Sequence, residues 1–157
     1  MEILFTKTGK EEHVFSCKRK DGSTTWKHVG EFFMLHDLGH YAVETILHLK
    51  NGFFGMVASG TDISDFDLPK EQRAFQLTDE ALFAEQLVNM VVIDFTQGRM
   101  ENLIEIFTSI YDLDNGSILM RNLTEEKLEK IRTAYNELLT QWEAIPLSGV
   151  LKLSFEE

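Results

Sequence analysis

The stretch from Glu31 to Lys50, EFFMLHDLGHYAVETILHLK, constrains the fold more than any other part of the chain. Phe32, Phe33, Met34, Leu35, Leu38, Ala42, Val43, Ile46, Leu47 and Leu49 make it apolar on nearly every side. That pattern predicts a helix buried on most of its faces. One polar line interrupts it: His36, His40 and Glu44, with His48 a turn further on. Residues four apart are neighbours on a helix surface, and each such step drifts by only about 40°. The three side chains can therefore point into one cavity. Burying them without partners would cost several kcal/mol, and a divalent metal satisfies them together. Gly39 inside this helix costs about 1 kcal/mol relative to Ala, which points to a close approach by another backbone or a ligand. Tyr41 is expected to pack in the core.

The flanking segments predict an α+β fold. Ile3 and Phe5 alternate with Leu4 and Thr6, and a second alternating run carries His13, Phe15 and Cys17. Asp21-Gly22 is a tight-hairpin signal, followed by a β-branched and aromatic run from Thr24 to Val29. These read as a three-stranded antiparallel meander. His13 and His28 fall in it and read as sheet residues rather than ligands. Leu151, Leu153 and Phe155 alternate with polar neighbours, so a last strand joins the same sheet. The expected architecture is a single domain with about four antiparallel strands beside about four helices.

Asn51-Gly52 ends the central helix. The Gly-rich apolar segment at 53–60 reads as a turn of helix or a buried loop over that end. Asp62, Asp65 and Asp67 form an acidic loop whose spacing does not match an EF-hand, so capping and solvation are its expected roles. Thr78 caps a second long helix running to about Phe95, apolar except for Glu85 and Asn89 on one side. Packed on the central helix, it would offer Glu85 to the histidines. Asp94 is expected at its exposed end. A third helix spans 100–111, and Asp114-Asn115-Gly116 reads as a turn. Thr124 starts a fourth helix with Leu128, Ile131, Tyr135, Leu138, Trp142 and Ile145 in three-four spacing. That stripe fits the protein's own core, or a seam between two copies in a homodimer.

The chain has a net charge of −11 and a sequence pI near 4.9. This balance disfavours nucleic acid and anionic membrane surfaces as partners. The basic triplet Lys18-Arg19-Lys20 reads as a solvated hairpin end. Cys17 is the only cysteine, so no internal disulfide forms, and it reads as a small packed residue. No run approaches the roughly 20 apolar residues of a membrane span, and no signal peptide is evident at the first residues. A cytoplasmic location is the expectation.

Zinc favours imidazole nitrogen and carboxylate oxygen, and catalytic sites usually keep three protein ligands and an open position. His36 and His40 supply two ligands from one helical face, with Glu44 or Glu85 as the third. The segment His36-Asp37-Leu38-Gly39-His40 resembles the HExxH helix of zinc-dependent metallopeptidases, with Asp37 in the place of the family's Glu. The resemblance spans five residues. It implies that His36 and His40 are ligands and that Asp37 is the general base, one methylene shorter than the family's. The longer HDLxHYxxE string also resembles an uncharacterised bacterial family. His36-Asp37 further resembles the adjacent pair of HD-type phosphohydrolases, which would need His28 and Asp94 as additional ligands. The expectation is a metal-dependent hydrolase of a small substrate. The alternative is a non-enzymatic protein with a buried His/Asp/Glu network, working through oligomerisation.

Overall fold

A computed structural model of the chain describes residues 1–9, 11–111 and 117–156. Four strands, β1 (Glu2–Thr6), β2 (Glu12–Lys18), β3 (Thr24–Gly30) and β4 (Val150–Ser154), form one antiparallel sheet in the order β3-β2-β1-β4. The register follows the alternation. Ile3 pairs with Cys17 and Leu153, and Phe5 pairs with Phe15 and Leu151, so one face of the sheet is apolar. Among the described residues six α-helices accompany the sheet: α1 (Glu31–Leu47), α2 (Phe53–Ala58), α3 (Asp79–Gln97), α4 (Leu103–Tyr111), α5 (Ile118–Asn122) and α6 (Glu125–Ala144). The α+β expectation holds. The short helix α5 is additional to it, and the turn expected at Asp114-Asn115-Gly116 lies outside the described residues.

Thr78 and Thr124 cap α3 and α6 as their sequence positions predict, accepting hydrogen bonds from the backbone N–H of Ala81 and Lys127. Helix α1 packs against α3 and α6 and runs beside β2 and β3. At its other surface Tyr41 donates its hydroxyl proton to the carbonyl of Ser154 at 2.9 Å, tying α1 to β4. A Cβ at Gly39 would lie 2.9 Å from Val88 Cγ1 and 3.7 Å from Tyr135 Cε2. The close approach at Gly39 is therefore made by side chains of α3 and α6, not by a backbone or a ligand.

Several expectations give way. Phe32 and Phe33 are 64% and 59% exposed, so the first turn of α1 is not buried on most faces. Arg19 is not a solvated hairpin end. It is buried, donating to the carbonyls of Val57 and Thr61 and pairing with Asp62 at 3.0 Å. Asp94 is not at an exposed end either. It is buried, and Arg132 of α6 holds both of its oxygens at 2.8 and 2.9 Å. The stripe Leu128, Ile131, Tyr135, Leu138 and Trp142 is buried within the chain, so it forms the protein's own core and is not free to serve as a seam between copies. Cys17 is buried as expected, and burial pushes its thiol up to about 12. No helix among the described residues is long and apolar enough to cross a membrane.

Candidate metal centre

Helix α1 presents His36 and His40 one turn apart, with ring centroids 4.9 Å apart. Helix α3 packs alongside and brings Glu85 between them. His40 Nε2 lies 3.0 Å from Glu85 Oε2, and His36 Nε2 lies 3.5 Å from Glu85 Oε1. One ligand atom from each of the three residues falls within 4.8 Å of the others, close enough for one ion to touch all three. Among the described residues no other His/Cys/Asp/Glu cluster of this kind occurs. Asn89, one turn along α3, donates to Glu85 Oε1 at 3.2 Å and steadies the carboxylate.

Glu44 is placed differently. Its carboxylate is fully buried behind His40, whose Nδ1 donates to Glu44 Oε1 at 3.0 Å. The same two oxygens accept the backbone N–H groups of Phe53 and Phe54 at 2.9 and 3.0 Å. These are orphan donors at the start of α2, so Glu44 caps that helix from a distance. A Cβ at Gly52 would run into the Glu44 carboxylate. Gly52 has an ordinary backbone conformation, with φ −67°. The glycine is required there by the space the carboxylate occupies. Glu44 thus orients His40 through Nδ1 and leaves Nε2 directed at Glu85, the arrangement that fixes a metal-ligating imidazole from behind.

The electrostatics follow from this geometry. Burial disfavours charge on His40, but its hydrogen bonds to Glu44 and Glu85 outweigh that and lift the imidazole to about 9. Without an ion, the group therefore holds a proton between two carboxylates. Burial keeps Glu44 above the usual carboxylate range, against the pull of His40 and the two amides. Glu85 is held well below that range by His36 first and His40 second.

Asp37 lies beside this group on a cavity of about 420 Å³, which it lines together with His36, His40 and Glu85. It is only 8% exposed, and its Oδ2 has no hydrogen-bond partner. Burial pushes its carboxyl up to about 6, moderated by His40, Lys27 and His36. A buried carboxylate oxygen without a donor is uncommon in a folded protein, and here the residue that carries it also lines the cavity. The remaining cavity wall comes from sequence-distant residues. Lys27 of β3 lies on it, paired with Asp67 at 2.9 Å, and so do Phe53, Phe66 and Arg73.

Of the residues singled out from sequence, the fold brings His36, His40 and Glu85 together, with Asp37 beside them and Glu44 behind His40, bonded to its Nδ1. His48 caps the end of α1 in a left-handed conformation with φ 54°. His13 pairs with Glu31 at 2.6 Å, and His28 packs edge-on against Trp26, both outside the group. Asp94 is taken by Arg132, so the HD-type ligand set is not assembled. Asp62 and Asp67 are taken by Arg19 and Lys27. Sequence reading missed Arg73 and the aromatic wall. The Phe-rich segment at 53–54 was a signal for the wall; for Arg73 no local signal exists.

No family model matches the chain, no curated protein matches it, and no solved structure matches it.

Proposed function

We propose that the protein is a divalent-metal-dependent hydrolase of a small substrate, with His36, His40 and Glu85 as the ligands. The observation that supports this reading is the convergence of those three groups on a cavity that Asp37 also lines. Two imidazoles and one carboxylate form a donor set that suits zinc, and three protein ligands leave a position for substrate or water. The ion would supply Lewis acidity and bring the pKa of a coordinated water towards 7.

The chain's own residues then have separable tasks. Glu44 accepts the Nδ1 proton of His40, fixing the tautomer that leaves Nε2 free for the ion. Asn89 holds Glu85. The Asp37 carboxylate, on the cavity wall beside the ligands, accepts the proton of the attacking water and returns it to the leaving group. Phe53 and Phe66 exclude bulk water from one side.

The test is metal content by inductively coupled plasma mass spectrometry on untagged protein purified without added metal. Near-stoichiometric zinc in the wild type, lost in His36→Ala, His40→Ala and Glu85→Ala, is the expected result. An empty wild type that also fails to take up zinc on dialysis would remove the hydrolase reading.

A second reading has its own support. Both nitrogens of His40 are hydrogen-bonded within the protein, to Glu44 and to Glu85, so the network is complete around that residue without an ion. On this reading the protein is non-enzymatic, the network shapes the α1–α3 packing, and function lies in assembly with other copies. The same measurement separates the two, because the second predicts stability losses in the variants with no metal to lose.

A further inference from the structure

The cavity wall away from the histidines has a built direction. His40 packs on Phe53 with centroids 5.3 Å apart, Phe53 on Phe66 at 4.7 Å, and Phe66 on Phe75 at 5.0 Å. This row of rings leads outward from the metal group. Arg73 lies beside the row and on the same cavity. Its Nε donates to the carbonyl of Leu68 and its Nη2 to the carbonyl of Phe66, both at 2.8 Å. Those two bonds fix the plane of the guanidinium. They leave the Nη1 protons and the second Nη2 proton without an acceptor among the described residues, and these are the donors that form a fork.

Arg73 has no carboxylate partner among the described residues, as Arg121 has none, but Arg73 lies on the cavity. Arg19, Arg99 and Arg132 each pair with a carboxylate, at 3.0, 2.6 and 2.8 Å. Arg73 is held only by neutral carbonyls, in a sequence with 26 acidic and 15 basic residues. Lys27, the other cation on the wall, is already neutralised by Asp67. The wall therefore offers one fixed, uncompensated, fork-shaped positive charge beside an aromatic surface. One such group matches a single carboxylate. A phosphate would call for further donors that the wall does not supply.

We propose that Arg73 anchors the carboxylate of a small substrate whose apolar or aromatic body lies along Phe53 and Phe66. The class is an N-acyl amino acid or a compound of like shape. This rests on the proposed hydrolase for the placement of the scissile bond over His36 and His40, but the anchor itself is independent of the ion.

The experiment is an NMR titration of 15N-labelled full-length protein with N-benzoylglycine and, separately, with its uncharged counterpart N-benzoylglycinamide. Each is measured after stripping with EDTA and again after loading with zinc. The metal-free arm removes direct binding of the carboxylate to the ion. In that arm the wild type is expected to bind the acid about tenfold more tightly than the amide, as one charge-assisted fork provides. The Arg73 Nε–H signal and the amides of residues 66–68 should move with the acid only. Arg73→Gln should lose the preference while its zinc content stays at the wild-type level, and His36→Ala should lose zinc and keep the preference. Equal binding of the two probes by the wild type, an unmoved Arg73 signal, or a preference that survives in Arg73→Gln each overturns the proposal. The Nε–H readout uses the unmodified chain, so it decides the matter even where Arg73→Gln folds poorly. A wild type without zinc but with an Arg73-dependent preference would remove the hydrolase and leave the anchor. Zinc without the preference would do the reverse.

Discussion

Helix α3 carries two acidic residues that are tied to neighbouring helices, Glu85 towards its start and Asp94 towards its end, and they are partnered in opposite styles. Asp94 is saturated. Arg132 holds both oxygens, and the backbone N–H of Met100 adds a bond at 2.5 Å. Arg132 in turn donates to the Met100 carbonyl and to Glu129. Both oxygens of Asp94 are thereby taken. Around Glu85 the count comes out the other way: two histidines converge on one carboxylate, the neighbouring Asp37 has an oxygen with no donor, and a cavity opens onto all of them. The same residue types serve architecture at one end and stay open to a ligand at the other. The distinguishing mark is the unspent bonding capacity, not burial or charge.

The largest effect is expected at the saturated end. Arg132→Met strands a buried carboxylate and should cost about 3–5 kcal/mol in urea unfolding. A loss under 1 kcal/mol would mean that the pair is no tighter than a surface contact.

Asp37→Asn should act with the opposite sign. The carboxyl is raised from 3.8 to about 6 in the fold, so its contribution favours folding below pH 4 and is lost as pH rises through 6. Removing that charge should stabilise the metal-free protein by about 3 kcal/mol at pH 8 and by almost nothing at pH 4. His40, raised from 6.5 to about 9, works in the same sense, with its stabilising contribution fading between those values. The metal-free protein is thus expected to weaken in two steps as pH climbs, and thermal melts from pH 4 to 9 on EDTA-treated protein would record both. A flat profile would show that neither group is as desolvated as its surroundings imply.

Zinc should raise the melting temperature of the wild type by roughly 5–10 °C at a hundred times the dissociation constant, equivalent to about 2.7 kcal/mol. His36→Ala should show no such rise. Gly52→Ala is expected to be the mildest, at about 2 kcal/mol, because the added methyl must displace the Glu44 carboxylate. It should also weaken zinc affinity through His40, a readout that a purely steric defect remote from the site would not move.

Much of the scaffold was legible because its signals are local. The alternation at Leu151, Leu153 and Phe155, the Asp21-Gly22 turn, and the caps at Thr78 and Thr124 each act within a few residues, and each appears where expected. The histidine pair was legible for the same reason. The roles of Glu44 and Glu85 were not, since spacing alone could not tell which imidazole nitrogen faces which helix. That depends on how α3 packs on α1 and on where the first amides of α2 fall. Arg19, Asp94 and Arg73 share a different difficulty. Their partners lie elsewhere in the chain or are backbone carbonyls, so a charged residue in a hydrophilic stretch looks solvated until the tertiary contact exists. Phe32 and Phe33 erred in the other direction, because apolar character at the first turn of a helix does not guarantee that anything covers it.

The interlock of Glu44 with Gly52 has a consequence for how such a chain can change over time. A side chain at position 52 and a carboxylate at position 44 exclude each other by volume, so neither position drifts freely while the other is kept. Any related chain with a larger residue at 52 would have to place the side chain at 44 elsewhere. Descendants that abandon the acid become free to fill the gap. Substitutions at 44 and 52 are therefore expected to occur in pairs in any set of relatives.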